Sequence, residues 1–231
     1  MQGLSTFLSE YGNEILISTR EHMFLTLIAM IIASFIAVPV GIMLSRCSYK
    51  WIVNLVLGLV NIIQPIPSLA LVALTVVLFY LINELLNARV MATLGTAPAL
   101  VALVAYALLP ILRNTYTGIK QIDPAIIEVA KGAGMKSRQI LFSVQLPLAL
   151  PFIMAGIRIS TVWTIGVATL VSLVGAGGLG DLIFRGLSNY RIELILAGAI
   201  PAACLALIFD WTLAGLEKWL SSGDIDQSTA K

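Results

Sequence analysis

The chain has 231 residues, of which 59% are hydrophobic and only 11% are charged, and its mean hydropathy is +0.97. Soluble domains carry roughly 25% charged residues, so this composition excludes a soluble globular protein. The net charge of +2 is small and no basic tract with interleaved aromatic residues is present, which excludes nucleic acid as a partner. The composition predicts an integral membrane protein in contact with lipid.

Five apolar stretches are long enough, or nearly so, to cross about 30 Å of hydrocarbon as α-helices. These predicted spans cover residues 23–45, 51–82, 97–118, 147–173 and 192–219. The predicted fold is therefore an all-α, five-span polytopic helical bundle, with one transmembrane domain over residues 23–219. The remaining predicted parts are an N-terminal segment, 1–22, a polar loop, 119–146, and a tail, 220–231.

The second predicted span is interrupted near its middle by Gln64, Pro65 and Pro67. Proline breaks the helical hydrogen-bond ladder, so this stretch crosses either once as a bent helix or twice. Two crossings would leave halves of roughly 21 to 24 Å, too short for an ordinary bilayer, and one broken crossing is preferred. Gln64 and Pro65, together with Asn61, form a polar break. This break indicates either a translocation pathway or a kink that helps packing.

The distribution of basic residues favours an extracytoplasmic N-terminal segment and a cytoplasmic tail. In that orientation the cytoplasmic segments hold Arg46, Lys50, Arg113, Lys120, Lys131, Lys136, Arg138, Lys218 and Lys231, and the outer segments hold Arg20, Arg89, Arg185 and Arg191. A sixth crossing would move Arg46 and Lys50 outside and weaken this bias. The charge pattern thus also favours five spans.

The loop 119–146 is the longest polar interruption and predicts two short helices. Asp123 is a good N-cap and Pro124 a good first residue for a helix that continues through Lys131. Gly132 and Gly134 can end it with positive φ angles. A second short helix is predicted over 137–144, and Pro147 would then open the fourth span. Physical reasoning leaves two roles open, an interfacial helix or a docking element for a soluble partner.

The same loop carries a resemblance. Glu128, Val129 and Ala130, then Gly134, and finally Leu146 with Pro147 resemble the EAA motif of ABC importer permeases, with valine at two positions of the pattern. In that family the loop forms a coupling helix that sits in a cleft of the ATP-hydrolysing subunit. The resemblance implies an ATPase-coupling role for Glu128, Ala130, Lys131, Gly134, Leu146 and Pro147.

The likeness extends over nearly the whole chain. The stretches 110–118, 128–134 and 151–161 are similar to permeases that import quaternary-amine osmoprotectants, namely glycine betaine, carnitine and choline. The resemblance implies a transport subunit of a bacterial plasma membrane, rather than an enzyme. The implied partners are two copies of a cytoplasmic ATP-binding subunit that binds ATP and Mg, a second permease, identical or paralogous, and an extracytoplasmic substrate-binding protein. No cofactor, metal or catalytic residue is expected in this chain, which has no Walker A sequence.

Arg158 is the charged residue of greatest interest inside a predicted span. It follows Pro147 by about 16 Å along a straight helix, which places it near the middle of the membrane. An arginine at that depth needs a partner or water. It is a candidate for the translocation pathway, where it could meet a substrate carboxylate, although it would repel a cation such as choline; the alternative is a structural pairing, for example with Asp210.

Gly175, Gly177, Gly178 and Gly180 match the dinucleotide fingerprint in letters. That interpretation is rejected, because the fingerprint requires a soluble strand-turn-helix unit, whereas these glycines follow a membrane span. In the permeases that the chain resembles, a glycine-rich loop leads here to a short helix, 181–187. The four glycines either line an external gate or allow close backbone packing. His22, a lone histidine at the edge of the first span, has no second metal ligand nearby.

Three alternatives to an osmoprotectant permease fit the sequence less well. A methionine or other small-solute importer permease shares the five-span plan but matches the three stretches less well. An ion-coupled secondary transporter would need intramembrane acids or an inverted repeat, and the only acid considered is Asp210, near a span end. An intramembrane enzyme would need paired carboxylates, a histidine cluster or an activated nucleophile.

Overall fold

A computed structural model describes the backbone of residues 2–87 and 92–221, and the side chains of residues 10–87 and 92–220. That part of the chain is helical and contains no strand. Arg89 and the predicted tail beyond residue 221 lie outside the described residues.

The α-helices in chain order are α1 (Gln2–Arg46), α2 (Lys50–Ile63), α3 (Ser68–Leu85), α4 (Thr96–Lys120), α5 (Pro124–Gly132), α6 (Ser137–Ile140), α7 (Leu146–Ala168), α8 (Leu179–Ser188) and α9 (Ile192–Ser221). A π-helical turn, Leu141–Gln145, joins α6 to α7, and a 3₁₀ turn, Leu170–Val174, follows α7. Five stretches are long and apolar enough to cross a membrane, namely Glu10–Arg46, Ser68–Leu85, Thr96–Lys120, Ser137–Ala168 and Ile192–Leu220. The predicted all-α, five-span architecture is confirmed.

Helix α1 begins at Gln2 and is therefore much longer than the span predicted at 23–45. Charged residues such as Glu10 and Glu14 interrupt the apolar pattern without breaking the helix. In this extension Tyr11 and Ile15 pack against the cluster of Leu179, Leu182, Leu194, Ala197 and Ala202 in α8 and α9. Tertiary packing therefore makes part of the predicted N-terminal segment a continuation of the first helix.

The predicted break in the second span is present as a junction between α2 and α3. Helix α2 ends at Ile63, and α3 begins at Ser68 directly after Pro67. The Tyr106 hydroxyl of α4 donates to the Ile66 carbonyl at 2.8 Å. Val53 of α2 packs in one core cluster with Ala107, Ile111 and Leu112, and Val72 of α3 packs in another with Ala99, Ala102 and Leu103. The two helices follow one another along α4, an arrangement that favours a single broken crossing.

Helix α4 lies at the centre of the bundle, between α1 and α7. Small residues bring these helices together: a Cβ added at Gly41 of α1 would stand 2.8 Å from the Thr115 Cβ, and one at Gly156 of α7 would stand 2.9 Å from the Pro110 carbonyl oxygen. Fully buried alanines line the same contacts, namely Ala29, Ala33, Ala99, Ala102 and Ala149. Small residues at helix contacts are the usual means of close packing in membranes.

Two ends of the bundle serve as reference points below. The α5 end is where α1 finishes at Arg46 and α4 finishes at Lys120. The α8 end is where α4 begins at Thr96 and α9 begins at Ile192, with α8 packed beside α1 and α9.

Replacing Gly156 with alanine tests the central packing. Its new Cβ would meet backbone atoms of Pro110 and Ile111, so we expect a loss of about 1–3 kcal/mol of stability from overpacking. Gly166 is the matched control in the same helix, because a Cβ there meets nothing within 4 Å, and Gly166→Ala should be neutral or slightly stabilising. The measurement is the midpoint of thermal unfolding in detergent. Equal midpoints for the two variants would contradict this account.

Candidate functional site

The predicted helix in the polar loop is α5, and its start follows from its sequence. The Asp123 Oδ1 accepts a hydrogen bond from the Ala125 backbone N–H at 2.8 Å, and Pro124 occupies the first turn, where its missing N–H costs nothing. Glu128 and Lys131 are exposed on this helix, whereas Ala130 is 8% exposed. Beside them Val129 is 73% exposed. The loop therefore presents a short rigid helix with an uncovered apolar side chain between two charges.

The turn that ends α5 depends on one glycine rather than two. Gly134 adopts a φ of 80°, and the Met135 N–H bonds back to the Ala130 carbonyl at 3.1 Å, a geometry typical of a helix C-terminus. Gly132 was expected to share this role, but it remains helical as the last residue of α5. The helix therefore ends at its first glycine, and the chain changes direction two residues later, at Gly134.

The second half of the loop differs from prediction. The helix predicted over 137–144 does not stop before Pro147; α6, the π turn and α7 form one helical run from Ser137 to Ala168. The π turn lengthens the hydrogen-bond ring, with the Leu146 N–H bonding to the Leu141 carbonyl, and Pro147, which has no N–H to donate, follows directly after Leu146. Leu146 packs against Ile119, Ala149 and Ile153.

Arg46 fastens this run to α1, a contact that the sequence analysis missed. Its Nη2 donates to the Ser137 carbonyl and to the Gln145 Oε1, each at 3.0 Å. The two acceptors lie at the start of α6 and at the end of the π turn, so the last residue of α1 contacts both ends of the stretch 137–145. A basic residue in the last turn of a helix was the only local signal.

Arg158 pairs with α9. Its Nε donates to the Asp210 Oδ1 at 2.9 Å and its Nη2 to the Asp210 Oδ2 at 3.2 Å, while its Nη1 donates to the Glu217 Oε2 at 3.2 Å. The structural pairing with Asp210 weighed above is present in the form of a bidentate bridge. Glu217 was missed; its position seven residues after Asp210, two turns along one face of a helix, is the signal that could have identified it.

A hollow of about 370 Å³ lies beside this ion-pair cluster and is lined by Ala155, Arg158, Ile159, Val162, Trp163 and Asp210. About a third of the Arg158 and Asp210 side chains is exposed. The predicted polar break lies elsewhere, at the α2–α3 junction, where Asn61, Gln64 and Pro65 are exposed. The hydrogen bonds of Arg158 go to α9 and do not join it to that break.

The glycine loop, defined here as residues 175–178, connects the 3₁₀ turn to α8. Gly175, Gly177 and Gly178 have φ angles of 81°, 78° and 90°, which only glycine adopts at little cost. Gly180 is helical instead, and a Cβ there would lie 1.9 Å from the Thr169 carbonyl oxygen. The Gly95 N–H donates to the Val174 carbonyl at 2.7 Å and joins the 3₁₀ turn, directly before the loop, to the start of α4. The short helix implied by the resemblance at 181–187 is present as α8.

Helix α1 contacts the same region through side chains that the sequence analysis did not select. The Glu21 Oε2 accepts from the Gly178 N–H at 3.0 Å, and the His22 Nε2 lies 3.1 Å from the Ile165 carbonyl oxygen. The sequence predicts His22 at the edge of the first span, near the membrane surface, but the residue is 0% exposed. Farther along the α1 extension, Glu14 pairs with Arg185 and Tyr11 bonds to Arg191.

A polar cavity of about 350 Å³ lies between this extension of α1 and α8. It is lined by Glu14, Ser18, Ser172, Leu173, Asp181, Phe184 and Arg185. Desolvation raises the pKa of the Asp181 carboxyl, and the nearby charges of Glu21 and Glu14 raise it further, whereas Arg185 opposes the shift. Among the described residues no group of histidine, cysteine, aspartate and glutamate side chains forms a metal site.

Comparison with known proteins identifies the class of this bundle. Residues 37–222 match the family described as binding-protein-dependent transport system inner membrane component. The chain therefore belongs to that family; it is a multi-pass membrane protein and a transport subunit. This confirms the family resemblance carried by Glu128, Ala130, Gly134, Leu146 and Pro147.

The similar proteins cover nearly the whole chain. The chain is 45% identical over 218 residues to the glycine betaine/carnitine/choline transport system permease protein OpuCB of Bacillus subtilis, and the match covers 94% of each chain. It is also 44% identical over 221 residues to the choline transport system permease protein OpuBB of the same organism, covering 96% of this chain and 95% of that one. The carnitine transport permease protein OpuCB of Listeria monocytogenes is 45% identical over 217 residues, covering 94% of this chain and 93% of that one.

Solved structures share the fold. An inward-facing structure of the MetNI methionine ABC transporter matches with a TM-score of 0.76 at 21% identity, covering 89% of this chain and 96% of that one. An amino acid ABC transporter crystallised with histidines matches with a TM-score of 0.68 at 18% identity, covering 93% and 96%. The five-span bundle thus has the fold of these transporters' membrane subunits.

Single and double substitutions test the ion-pair cluster. Arg158→Gln leaves the carboxylates of Asp210 and Glu217 facing one another, whereas Asp210→Asn leaves Arg158 paired with Glu217. We expect Arg158→Gln to cost about 2 kcal/mol of stability and Asp210→Asn about 1, values below those for fully buried pairs. Because the two residues interact, the double variant should lose less than the sum of the two losses.

Thermal unfolding of the purified chain in detergent measures these losses. Glu193→Gln, at the exposed start of α9, is the control and should unfold near the wild-type temperature. Strict additivity of the Arg158 and Asp210 variants would contradict the pairing.

Proposed function

We propose that this chain is the membrane-spanning permease subunit of an ATP-driven importer of quaternary-amine compatible solutes, such as glycine betaine, carnitine and choline. The observation that carries the proposal is the 45% identity to a glycine betaine/carnitine/choline permease protein over 94% of both chains. A methionine substrate is less favoured, because the likeness to the methionine transporter is one of fold at 21% identity.

In this proposal ATP and Mg are bound by a cytoplasmic partner present in two copies, and this chain supplies no catalytic residue. The α5 end faces the cytoplasm and the α8 end faces outward, with the N-terminal segment outside. A second permease, identical or paralogous, completes the pathway by two-fold or pseudo-two-fold symmetry. A separate binding protein delivers substrate to the α8 end. The positive-inside pattern supports this orientation.

The coupling role is assigned to α5. Glu128 and Lys131 are exposed for a charged contact, and Ile126 and Val129 are exposed apolar residues that suit a cleft. Ala130 is buried, and the turn at Gly134 fixes the helix direction. A displacement of α5 would move the helical run Ser137–Ala168. Leu146 and Pro147 lie where this run enters the bundle, and Leu146 packs there against α4.

For the pathway we propose the ion-pair cluster, with the polar break at Asn61, Gln64 and Pro65 as a second lining element. Because the Arg158 guanidinium is engaged by α9, a substrate carboxylate would have to compete with Asp210. A quaternary ammonium group would meet the Asp210 carboxylate and the Trp163 ring in the same hollow, a combination that suits such cations. The repulsion expected from an isolated arginine is thereby offset.

Reconstitution tests the substrate class. The chain, produced together with the ATPase and the binding protein encoded with it, is placed in liposomes loaded with ATP, and uptake of radiolabelled glycine betaine is followed. We expect ATP-dependent uptake that excess carnitine or choline reduces and excess methionine does not. Uptake that needs only a sodium or proton gradient, or uptake of methionine alone, would contradict the proposal.

Two glycines test the coupling role of α5. Alanine at position 134 would have to adopt a φ of 80°, at a cost of about 1–2 kcal/mol, so we expect ATP-driven uptake to fall roughly 5- to 30-fold. Gly132→Ala is the matched control, since Gly132 is helical and a Cβ there meets nothing within 4 Å; uptake should remain near wild type. Co-purification of the ATPase is measured in parallel. Equal uptake by both variants would remove the coupling role from this turn.

A further inference from the structure

We propose that Glu21 and His22 of α1 form a clamp that holds the glycine loop and thereby sets its position at the α8 end. These are positioning residues, which act through the loop. The inference rests on the proposed function in one respect, that the α8 end faces outward. Its structural basis is independent of the substrate.

The two residues hold both ends of one segment. The His22 Nε2 lies 3.1 Å from the Ile165 carbonyl oxygen, where the hydrogen-bond pattern of α7 changes. There the Thr169 N–H bonds to the Gly166 carbonyl, three residues back, as in a 3₁₀ helix. Glu21 accepts from the Gly178 N–H at 3.0 Å, directly before α8. Neighbouring side chains on one helix therefore fix the start and the end of residues 165–178.

Two glycines of the loop fit the clamp closely. A Cβ at Gly177 would lie 2.6 Å from the Glu21 Oε2, and a Cβ at Gly178 would lie 3.3 Å from the His22 Nδ1. Both positions also have positive φ angles. Gly175 has the same left-handed backbone, but a Cβ there would only touch the Gly95 nitrogen at 4.0 Å. At Gly177 and Gly178, glycine is thus needed both for the positive φ angle and for the close approach of α1. At Gly175 it is needed for the φ angle alone.

The second ring nitrogen of His22 lies close to the glycine loop. In the described part of the chain His22 Nδ1 is buried and has no hydrogen-bond partner, and an unpaired buried polar atom is costly. A Cβ at Gly178 would lie 3.3 Å from this nitrogen, so His22 packs closely against the end of the loop.

Helix α1 connects this clamp to the opposite end of the bundle. Its last residue, Arg46, bonds to Ser137 and Gln145 in the helical run that follows α5. His22 and Arg46 are separated by about 36 Å along one helix. A movement at α5 can therefore reach the glycine loop through α1 as well as through α7. Movement that passes along α1 reaches the glycine loop through the clamp.

Cysteine labelling tests the clamp. Cys47 and Cys204, the free cysteines of the described chain, are replaced by alanine, and Ala176→Cys places a single thiol in the loop. The complete transporter in liposomes without ATP is treated with a membrane-impermeant maleimide. We expect Glu21→Ala to raise the labelling rate roughly ten-fold or more, because a charge-assisted hydrogen bond is lost. Glu21→Gln keeps an acceptor and should stay within about three-fold of wild type.

Glycine variants add a control that a general loss of stability would not reproduce. Gly177→Ala and Gly175→Ala introduce similar backbone strain, but only Gly177→Ala collides with Glu21. Gly177→Ala should therefore raise labelling well above Gly175→Ala. In the Glu21→Ala background the collision is gone, and Gly177→Ala should add no more than Gly175→Ala does.

Wild-type labelling in an intact Glu21→Ala complex would overturn the clamp, and so would equal labelling of the Gln and Ala variants. Equal effects of Gly175→Ala and Gly177→Ala in both backgrounds would do the same. The labelling needs neither substrate nor ATP. If uptake of glycine betaine fails while this pattern holds, the proposed substrate is wrong and the clamp stands.

Discussion

Backbone polar groups that leave a helix inside a membrane must find partners within the protein, because hydrocarbon offers none. This bundle meets that requirement with side chains from neighbouring helices. Tyr106 bonds to the Ile66 carbonyl between α2 and α3. His22 reaches the Ile165 carbonyl where α7 passes into a 3₁₀ turn. The interruptions of the helices are therefore also the points at which separate helices are joined.

Those joints give α1 a special position. One of its ends contacts the helical run that follows α5, and its extension contacts the glycine loop and α8. Between these contacts it packs against α4 through Gly41 and a row of small residues. Because one helix makes both sets of contacts, they can respond together when that helix moves.

Sequence reasoning predicted what depends on local pattern. Hydropathy gave the five spans, Asp123 with Pro124 predicted the start of α5, and the prolines at 65 and 67 predicted the break between α2 and α3. It failed where a distant contact decides. The extension of α1 is stabilised by α8 and α9, the π turn is held by Arg46, and Glu21 and His22 bind residues more than 140 positions away. No periodicity within one segment contains that information.

The ion-pair cluster illustrates the same limit and its consequence for transport. Considered alone, Arg158 is a positive charge in a span and would exclude a cationic solute. With Asp210 and Glu217 both bonded to it, the charge that a solute meets beside Trp163 depends on α9 as much as on α7. A movement of α7 relative to α9 would alter this balance, since the bidentate geometry tolerates little displacement. The charge presented to a solute is thereby coupled to the packing of these two helices.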